Sequence, residues 1–270
     1  MIKTKPTPST KLNDLLSNLI QALANNSIRI IDLTQQLSPD TPIIQLPGEF
    51  AQSKPFQMEK ISCYDSFGPS WYWNNFSCGE HTGTHFDAPI HWVTGKDNPN
   101  NATDTIPVIN FIAQAVVINV VKEAQENPDF LLTKNHVLKW EEQYGRIPEG
   151  CWVLMRTDWS KRQGKDFINL KEDGAHFPGM DATLVKFLNK ERNILGLGSE
   201  CVGVDSGQAD KLDFPIPCHT LMHGANKFGL ASLTNLDQLP PTGSVLITPP
   251  LKIINGSGSP CRVLALISAT

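Results

Sequence analysis

The sequence lacks the features by which several classes of protein are recognised. Its 270 residues contain no cluster of lysine or arginine, and the formal net charge is −4. This balance argues against nucleic acid or an anionic membrane surface as the main partner. No apolar run is long enough to cross a bilayer. A phosphate-binding G-x-x-x-x-G-K-[ST] motif and the G-x-S-x-G of serine hydrolases are also missing, so neither nucleotide nor serine-hydrolase chemistry is expected.

The cysteines form no C-x-x-C pair. Scattered thiols indicate free cysteines in a reducing compartment rather than a zinc knuckle or a disulfide framework. We therefore expect a cytoplasmic protein whose cysteines are buried small apolar residues. The six are Cys63, Cys78, Cys151, Cys201, Cys218 and Cys261.

The N-terminus has the superficial outline of a signal peptide, because lysines precede a leucine-rich stretch. Polar residues interrupt that stretch, however, and its apolar residues recur at helical spacing from Leu12 to Leu23. We expect residues 1–27 to form an amphipathic helix and extension that packs on the domain or on a second subunit. Residues 28–270 would form one domain, since α/β or β-rich domains of about 250 residues are common.

An extended arm is expected at about residues 38–80, where proline and glycine recur and the segment is too long for a simple loop. It would cover the functional site or reach across a dimer. Its second half carries Trp71, Trp73 and Phe76, and Trp92 follows soon after. We expect these four side chains to form flat apolar walls for an aromatic ring, the alternative being the core or a dimer contact.

The remaining chain alternates strand-like and helix-like segments. The helix-like segments are 133–144 and 181–191, the second with Asp181 as its cap. Apolar, β-branched runs predict buried strands. These runs lie at 27–37, 115–121, 151–157, 201–204, 244–248 and 262–267. The pattern predicts a single α/β domain rich in sheet.

The most informative segment reads His81-Thr-Gly-Thr-His85-Phe-Asp87-Ala-Pro-Ile-His91. In an extended chain, residues 81, 83, 85 and 87 point to one side, so His81, His85 and Asp87 converge while Gly83 leaves room between them. Imidazoles and a carboxylate bind borderline divalent ions, which turn water into a usable nucleophile near neutral pH. His91 could move protons for that water or ligate the ion. The alternative is a turn of hydrogen-bonded polar side chains.

This motif resembles the H-x-G-T-H-x-D-x-P-x-H signature of the cyclase family of metal-dependent hydrolases, which includes kynurenine formamidases and isatin hydrolases. Weaker blocks follow in that family's order, and together they cover about residues 28–267. The resemblance implies the swivelling β/β/α fold, and it implies that His91 is the catalytic histidine. The blocks lie at 31–34, 153–157, 177–179, 203–206 and 233–237.

In bimetallic members of that family, a later histidine and a glutamate twelve residues after it bind a second ion. His219 matches the histidine, but Ala231 stands where the glutamate is expected. A methyl group cannot ligate, so a second ion would lack a charged ligand. We therefore expect one divalent ion per subunit, with manganese favoured and zinc possible. The resemblance then points to the isatin hydrolase-like branch.

Three more residues near this position are candidates. The Ser232 hydroxyl could relay a proton, although a plain loop serine is the alternative. His219 and His223 are four residues apart, and either could orient a carboxylate product or simply pack as a polar side chain. Asp205 follows a strand-like segment and is a further possible site residue.

The resemblance implies an enzyme that opens the cyclic amide of a bicyclic aromatic substrate of the isatin type, with His91 as general base and acid. The alternatives are hydrolysis of N-formylkynurenine, a lactone hydrolase of the dienelactone-opening kind, and a non-catalytic metal-binding homologue. Retention of all four motif side chains argues against the last. On base rates we expect a homodimer or a higher homo-oligomer.

Overall fold

The computed structural model of the protein describes residues 8–46 and 48–269, with side chains from residue 14 onward. Residues 1–7 of the expected N-terminal extension, and Pro47 of the expected arm, lie outside this part. The strands in chain order are β1 (Ile28–Asp32), β2 (Gln57–Asp65), β3 (Gly68–Ser77), β4 (His85–Asp87), β5 (Ile112–Asn119), β6 (Leu131–Leu132), β7 (Trp152–Arg156), β8 (Leu170–Lys171), β9 (Gly174–Ala175), β10 (Gly179–Met180), β11 (Gly196–Ser199), β12 (Phe228–Ala231), β13 (Ser244–Ile247), β14 (Gly258–Pro260) and β15 (Leu264–Ser268). The helices are α1 (Pro8–Ala24), α2 (Val121–Glu126), α3 (Lys134–Tyr144), α4 (Lys165–Ile168) and α5 (Ala182–Phe187).

One mixed sheet organises the fold, with strand order β1-β15-β13-β5-β7-β11-β12-β4-β14. Its centre, β5-β7-β11-β12, is parallel, and the strands on both sides of that centre pair antiparallel. A backbone bridge between Thr34 and Leu233 ties the segment after β1 to the segment after β12, so the sheet curls. The predicted sheet-rich α/β architecture is confirmed.

Both faces of the central strands are buried, as their continuous apolar runs predict. On β7, Val153 and Met155 face a core shared with α3 and α5. Trp152 and Leu154 face the opposite core, which Phe86 and Phe228 help to fill. The strands predicted at 115–121 and 151–157 are therefore confirmed as buried strands.

The strand predicted at 201–204 is wrong, because the chain forms a bend there and the strand is β11, a few residues earlier. A search for apolar runs does not find β11 because two of its four residues are glycine. A Cβ on Gly196 would lie 2.4 Å from a ring carbon of Trp152, so glycine is required for the two strands to pack. The apolar residues after β11 are buried as core filling instead, among them Cys201 and Val202.

The expected arm at 38–80 is a hairpin in its second half rather than an extended segment throughout. Strands β2 and β3 pair antiparallel and join no other strand. The aromatic side chains of this hairpin are largely exposed, with Trp71 at 48%, Trp73 at 54% and Phe76 at 64%. Period-2 patterning misses such a ribbon because neither of its faces is buried by the rest of the chain.

Helix α1 also presents apolar side chains outward. Leu15, Leu16 and Ile20 are each at least 60% exposed, so this face is not packed on the domain. Packing on a second subunit remains a prediction. Among the described residues, no helix combines the length and apolarity that crossing a bilayer would require.

Candidate metal centre

The short strand β4 positions the centre, because it lies between β12 and β14. Asp87 stands directly opposite Gly229 on β12 and Gly258 on β14, and His85 stands opposite Ala231. Directly opposed residues of antiparallel strands share a face of the sheet. Three of the four residues that face His85 and Asp87 on the neighbouring strands therefore have little or no side chain, and the fourth is Pro260, opposite His85. The two glycines opposite Asp87 leave room for a ligand.

Three candidate ligand atoms meet on this face. His81 Nδ1 lies 2.7 Å from Asp87 Oδ1, and His85 Nε2 lies 3.3 Å from the same oxygen. His85 Nδ1 lies 2.8 Å from the Gly83 carbonyl, which can only accept, so the lone pair of this ring is on Nε2. The candidate ligand atoms all lie within 4.8 Å of one another. Two imidazole nitrogens and one buried carboxylate oxygen fit a divalent ion of the zinc or manganese kind.

The alternation of side chains along a strand explains only part of this convergence. His85 and Asp87 alternate correctly within β4, whereas His81 reaches them from a turn. Gly83 has a φ of +62°, in the left-handed region that favours glycine, and a Cβ there would lie 2.6 Å from a methyl carbon of Leu37. The glycine therefore serves a reversal of the backbone, not the spacing between side chains on a strand.

A chain of hydrogen bonds supports His81 from behind. Its Nε2 lies 2.9 Å from the Ser257 hydroxyl, and that hydroxyl lies 2.5 Å from a carboxylate oxygen of Glu80. With Nε2–H donating to Ser257 and Ser257 donating to Glu80, Nδ1 is left to face Asp87. Such outer partners orient histidine ligands. Neither residue is predicted from the sequence. Glu80 could have been found because it is adjacent to His81, whereas nothing in the sequence points to Ser257.

Asp87 is ionised at this centre. Burial alone would raise its pKa, but the neighbouring imidazoles of His85 and His81 hold the pKa of this carboxyl well below its ordinary value. The carboxylate is 1% exposed. The centre therefore offers a fixed negative charge in a site that excludes most water.

The His91 ring stacks on the His81 ring, with centroids 3.7 Å apart and planes inclined by 28°. Burial, followed by the charge of His81, lowers the pKa of His91 to about 2. It is therefore neutral at ordinary pH. His91 belongs to neither group of potential ligand atoms found in the described residues, so the geometry gives the alternative of metal ligation no support.

A second group of potential ligand atoms comprises Asp87, His219 and His223. His219 Nδ1 lies 2.5 Å from Asp205 Oδ2, and this contact raises the pKa of His219 against the effect of burial. Burial and the charge of His219 lower the pKa of His223 to about 4. The structure thus brings both predicted histidines close to Asp87, and it identifies Asp205 as the partner of His219.

The predicted aromatic residues divide into two groups. Trp92 lies beside the centre, with its ring 5.2 Å from that of His219 and its Nε1 donating to Thr220 Oγ1. Trp71, Trp73 and Phe76 lie on the exposed hairpin, where Phe76 stacks on Phe56. One chain therefore brings only Trp92 of these four into contact with the histidines.

Ser232 follows Ala231 directly and is buried, with a φ of +52°. Its carbonyl accepts a 2.6 Å hydrogen bond from Thr84 Oγ1, within the metal motif. Its own hydroxyl lies 3.5 Å from the Cys201 carbonyl, at the limit of a hydrogen bond. The backbone of Ser232 therefore supports the motif, and a proton relay through its hydroxyl remains a prediction.

Gly229 is expected to be essential for this centre, because a Cβ there would lie 2.5 Å from Asp87 Oδ2. We expect Gly229→Ala to displace the carboxylate and to weaken metal binding about 10- to 100-fold, as measured by calorimetric titration of metal-stripped protein. Gly203→Ala is the matched control, because a Cβ at Gly203 meets nothing within 4 Å. Equal metal affinities of the two variants would contradict the requirement for glycine at position 229.

Comparison with known families places these residues in context. The family model described as Putative cyclase matches residues 31–206 of the chain. That range contains His81, His85, Asp87 and His91, together with Asp205. It ends before β12 and β14, so the strands on either side of β4 lie outside the matched segment.

Individual relatives extend the similarity over the whole chain. An isatin hydrolase of Roseibium aggregatum is 49% identical over 255 residues, which cover 93% of this chain and 97% of that protein. The crystal structure of an isatin hydrolase bound to the product analogue thioisatinate superposes with a TM-score of 0.93 at 47% identity, covering 95% of this chain and 99% of that one. A kynurenine formamidase of Salinibacter ruber is 24% identical, over 87% of this chain and 96% of its own length.

Proposed function

The chain belongs to the cyclase family, and from that premise we propose that it hydrolyses the cyclic amide of a bicyclic aromatic substrate of the isatin type. The observation that carries this proposal is the 49% identity to an isatin hydrolase along nearly the full length of both proteins. The geometry supports it, because Ala231 leaves the ligand face of β12 without a carboxylate. A second ion would have to share Asp87 as its anionic ligand.

We propose that His81, His85 and Asp87 hold one divalent ion, with manganese favoured and zinc possible. When bound, such an ion polarises a carbonyl and lowers the pKa of water, which is the Lewis-acid chemistry that amide hydrolysis needs. Asp87 supplies the compensating charge. The Glu80–Ser257 pair holds His81 so that Nδ1 faces this carboxylate.

The remaining residues manage protons and orient the substrate. The oxygen of a water forms the new C–O bond to the amide carbon, and the C–N bond breaks. His91 takes one proton from that water and returns it to the departing nitrogen. The carboxylic acid so formed loses its proton to solvent, so the products are a carboxylate and an aryl amine. We propose that His219, held by Asp205, donates a hydrogen bond to the carboxylate and that Trp92 forms an aromatic wall. Ser232 is proposed as a relay for the exchange of protons with solvent.

The test is the initial rate of isatin ring opening, followed by absorbance, with metal-stripped protein before and after manganese is added. We expect no rate before the addition and a clear rate after it. N-Formylkynurenine and an aromatic lactone are run in parallel. A metal-restored rate with either of these but not with isatin would reassign the substrate, and no turnover of any of the three would favour a non-catalytic metal-binding protein.

We further propose that the hairpin β2–β3 packs against a second copy of the chain and carries Trp71, Trp73 and Phe76 to that copy's centre. Its support is the exposed aromatic surface, since large apolar patches on proteins mark interfaces. We expect the double variant Trp71→Ser, Trp73→Ser to shift a dimer to monomer in light scattering and to raise KM for isatin. Val108→Ser, at a position that is 80% exposed elsewhere, is the control. A wild-type protein that is monomeric at assay concentrations would refute the proposal.

A cytoplasmic location is proposed from the cysteines. The structure has all six as free thiols, and four of them are buried. Free buried thiols are typical of proteins kept in a reducing compartment.

A further inference from the structure

His223 carries an acceptor that the protein leaves unused. The residue is fully buried, and its Nδ1 lies 3.0 Å from the Lys227 carbonyl. A carbonyl only accepts, so Nδ1 carries the proton and the lone pair of the neutral ring is on Nε2. Nε2 is buried and has no hydrogen-bond partner in the described part of the chain. A buried polar atom without a partner costs about 1–3 kcal/mol, which points to a ligand that supplies the partner.

The surroundings of this nitrogen place it in the reaction site. The His223 ring lies 5.5 Å from the ring of His219 and 6.1 Å from that of His91, measured between centroids. The same residue offers a ligand atom within 4.8 Å of Asp87. His223 therefore lies beside both the proposed proton carrier and the residue proposed to hold the carboxylate.

Two kinds of partner fit a lone pair in this position. One is a second metal ion. Asp87 would then be the anionic ligand of both ions, because Ala231, which lies opposite His85 on β12, carries no carboxylate. A donor on the substrate is the other. The proposed substrate has one N–H, on the amide nitrogen that must leave, and that group is a hydrogen-bond donor both before and after the C–N bond breaks.

Building on the proposed function, we propose that His223 Nε2 accepts the N–H of the substrate amide and so restricts the enzyme to amides that carry a hydrogen on nitrogen. A lactone presents an oxygen to this acceptor, and an N-alkyl lactam presents a carbon. Either would leave Nε2 buried and unpaired. Sites built to hydrogen-bond a substrate N–H strongly reject analogues that lack it.

The experiment compares isatin with N-methylisatin at saturating manganese, and it uses 5-methylisatin as a control that carries the added methyl on the benzene ring. For the wild-type protein we expect kcat/KM to be about 100-fold lower for N-methylisatin than for isatin. His223→Leu removes the acceptor without adding a donor, so the ratio of the two rate constants should fall below about fivefold, mainly through loss of isatin turnover. His223→Gln, whose amide oxygen can accept, should restore part of the ratio.

Three results would overturn the proposal. The first is a wild-type kcat/KM for N-methylisatin that equals the value for isatin. The second is a ratio of these two constants in His223→Leu that is as large as in the wild-type protein. The third is two tightly bound metal equivalents in the wild-type protein, one of which is lost in His223→Leu. Melting temperatures establish that the variants fold, and if the leucine variant does not, the wild-type ratio and the glutamine variant decide. Absence of isatin turnover in the metal-loaded wild-type protein would instead refute the proposed function itself.

Discussion

Asp87→Asn is expected to remove the bound ion and, with it, at least about 10³-fold of the activity toward isatin. The substitution keeps the shape of a side chain that is fully buried between β12 and β14, but it removes the one negative charge among the three candidate ligands. Metal-ion catalysis contributes several kcal/mol, and each 1.36 kcal/mol corresponds to a tenfold change in rate. Metal content by mass spectrometry and kcat/KM on the same samples measure both effects.

Asp32→Asn is a suitable control for this change. Asp32 lies on β1 of the same sheet and pairs with Arg262 at the surface, where an ion pair contributes less than about 1 kcal/mol. Its replacement should leave metal content and rate unchanged. One full metal equivalent of undiminished affinity in Asp87→Asn would show that the carboxylate is not a ligand.

His91→Phe is expected to lower kcat by about 10²- to 10⁴-fold while leaving metal content unchanged. Phenylalanine keeps a flat ring against His81, so the stacking that supports this ligand is retained. What it removes is the nitrogen proposed to accept and return the proton. The measurement is kcat with isatin together with metal stoichiometry for the same preparation.

A second variant separates proton transfer from packing. His91→Ala leaves a space beside His81 into which free imidazole can diffuse, and added imidazole should restore part of the lost rate. The phenylalanine variant, whose ring fills that space, should not respond. Full activity in either variant would end the general-base assignment, and loss of metal from His91→Phe would make His91 a positioning residue of the metal centre.

The metal motif is predictable from the sequence because its three candidate ligands lie within seven residues. What sequence could not give was the route by which they meet. His81 comes from a turn that depends on the left-handed φ of Gly83, and strand alternation accounts only for His85 and Asp87. Local spacing constrains which side chains can approach one another, whereas a backbone reversal is settled by neighbours such as Leu37 that are distant in sequence.

The fold was predictable where burial dictates composition. The segments Ala115–Ile118 of β5 and Trp152–Met155 of β7 are buried and wholly apolar, so a pattern search finds them. Strand β11 is equally buried, but glycine occupies two of its four positions because Trp152 and Leu154 of β7 fill the space that side chains would need. Sequence alone does not tell such a strand from a loop.

The residues that complete the centre are harder to predict from the sequence, because their contacts depend on which strands pair. Gly229, Gly258 and Ser257 act through their distance from Asp87 and His81, and that distance exists only once β12 and β14 pair with β4. Asp205 was noted because it follows an apolar run. Its contact with His219 depends on the path of the 13 residues between them, which brings the helical turn His219–His223 back to Asp205.

The position of β4 between two C-terminal strands also bears on biosynthesis. A ribosome completes residues 81–87 long before it reaches Gly229 and Gly258, and pairing over such long loops is slow to form. The nascent chain therefore exposes the proposed metal ligands before the strands that surround them have formed. An ion captured at that stage would be held before Gly229 and Gly258 fix the orientation of the proposed ligands. We therefore expect selection among metal ions only after β12 and β14 have paired with β4.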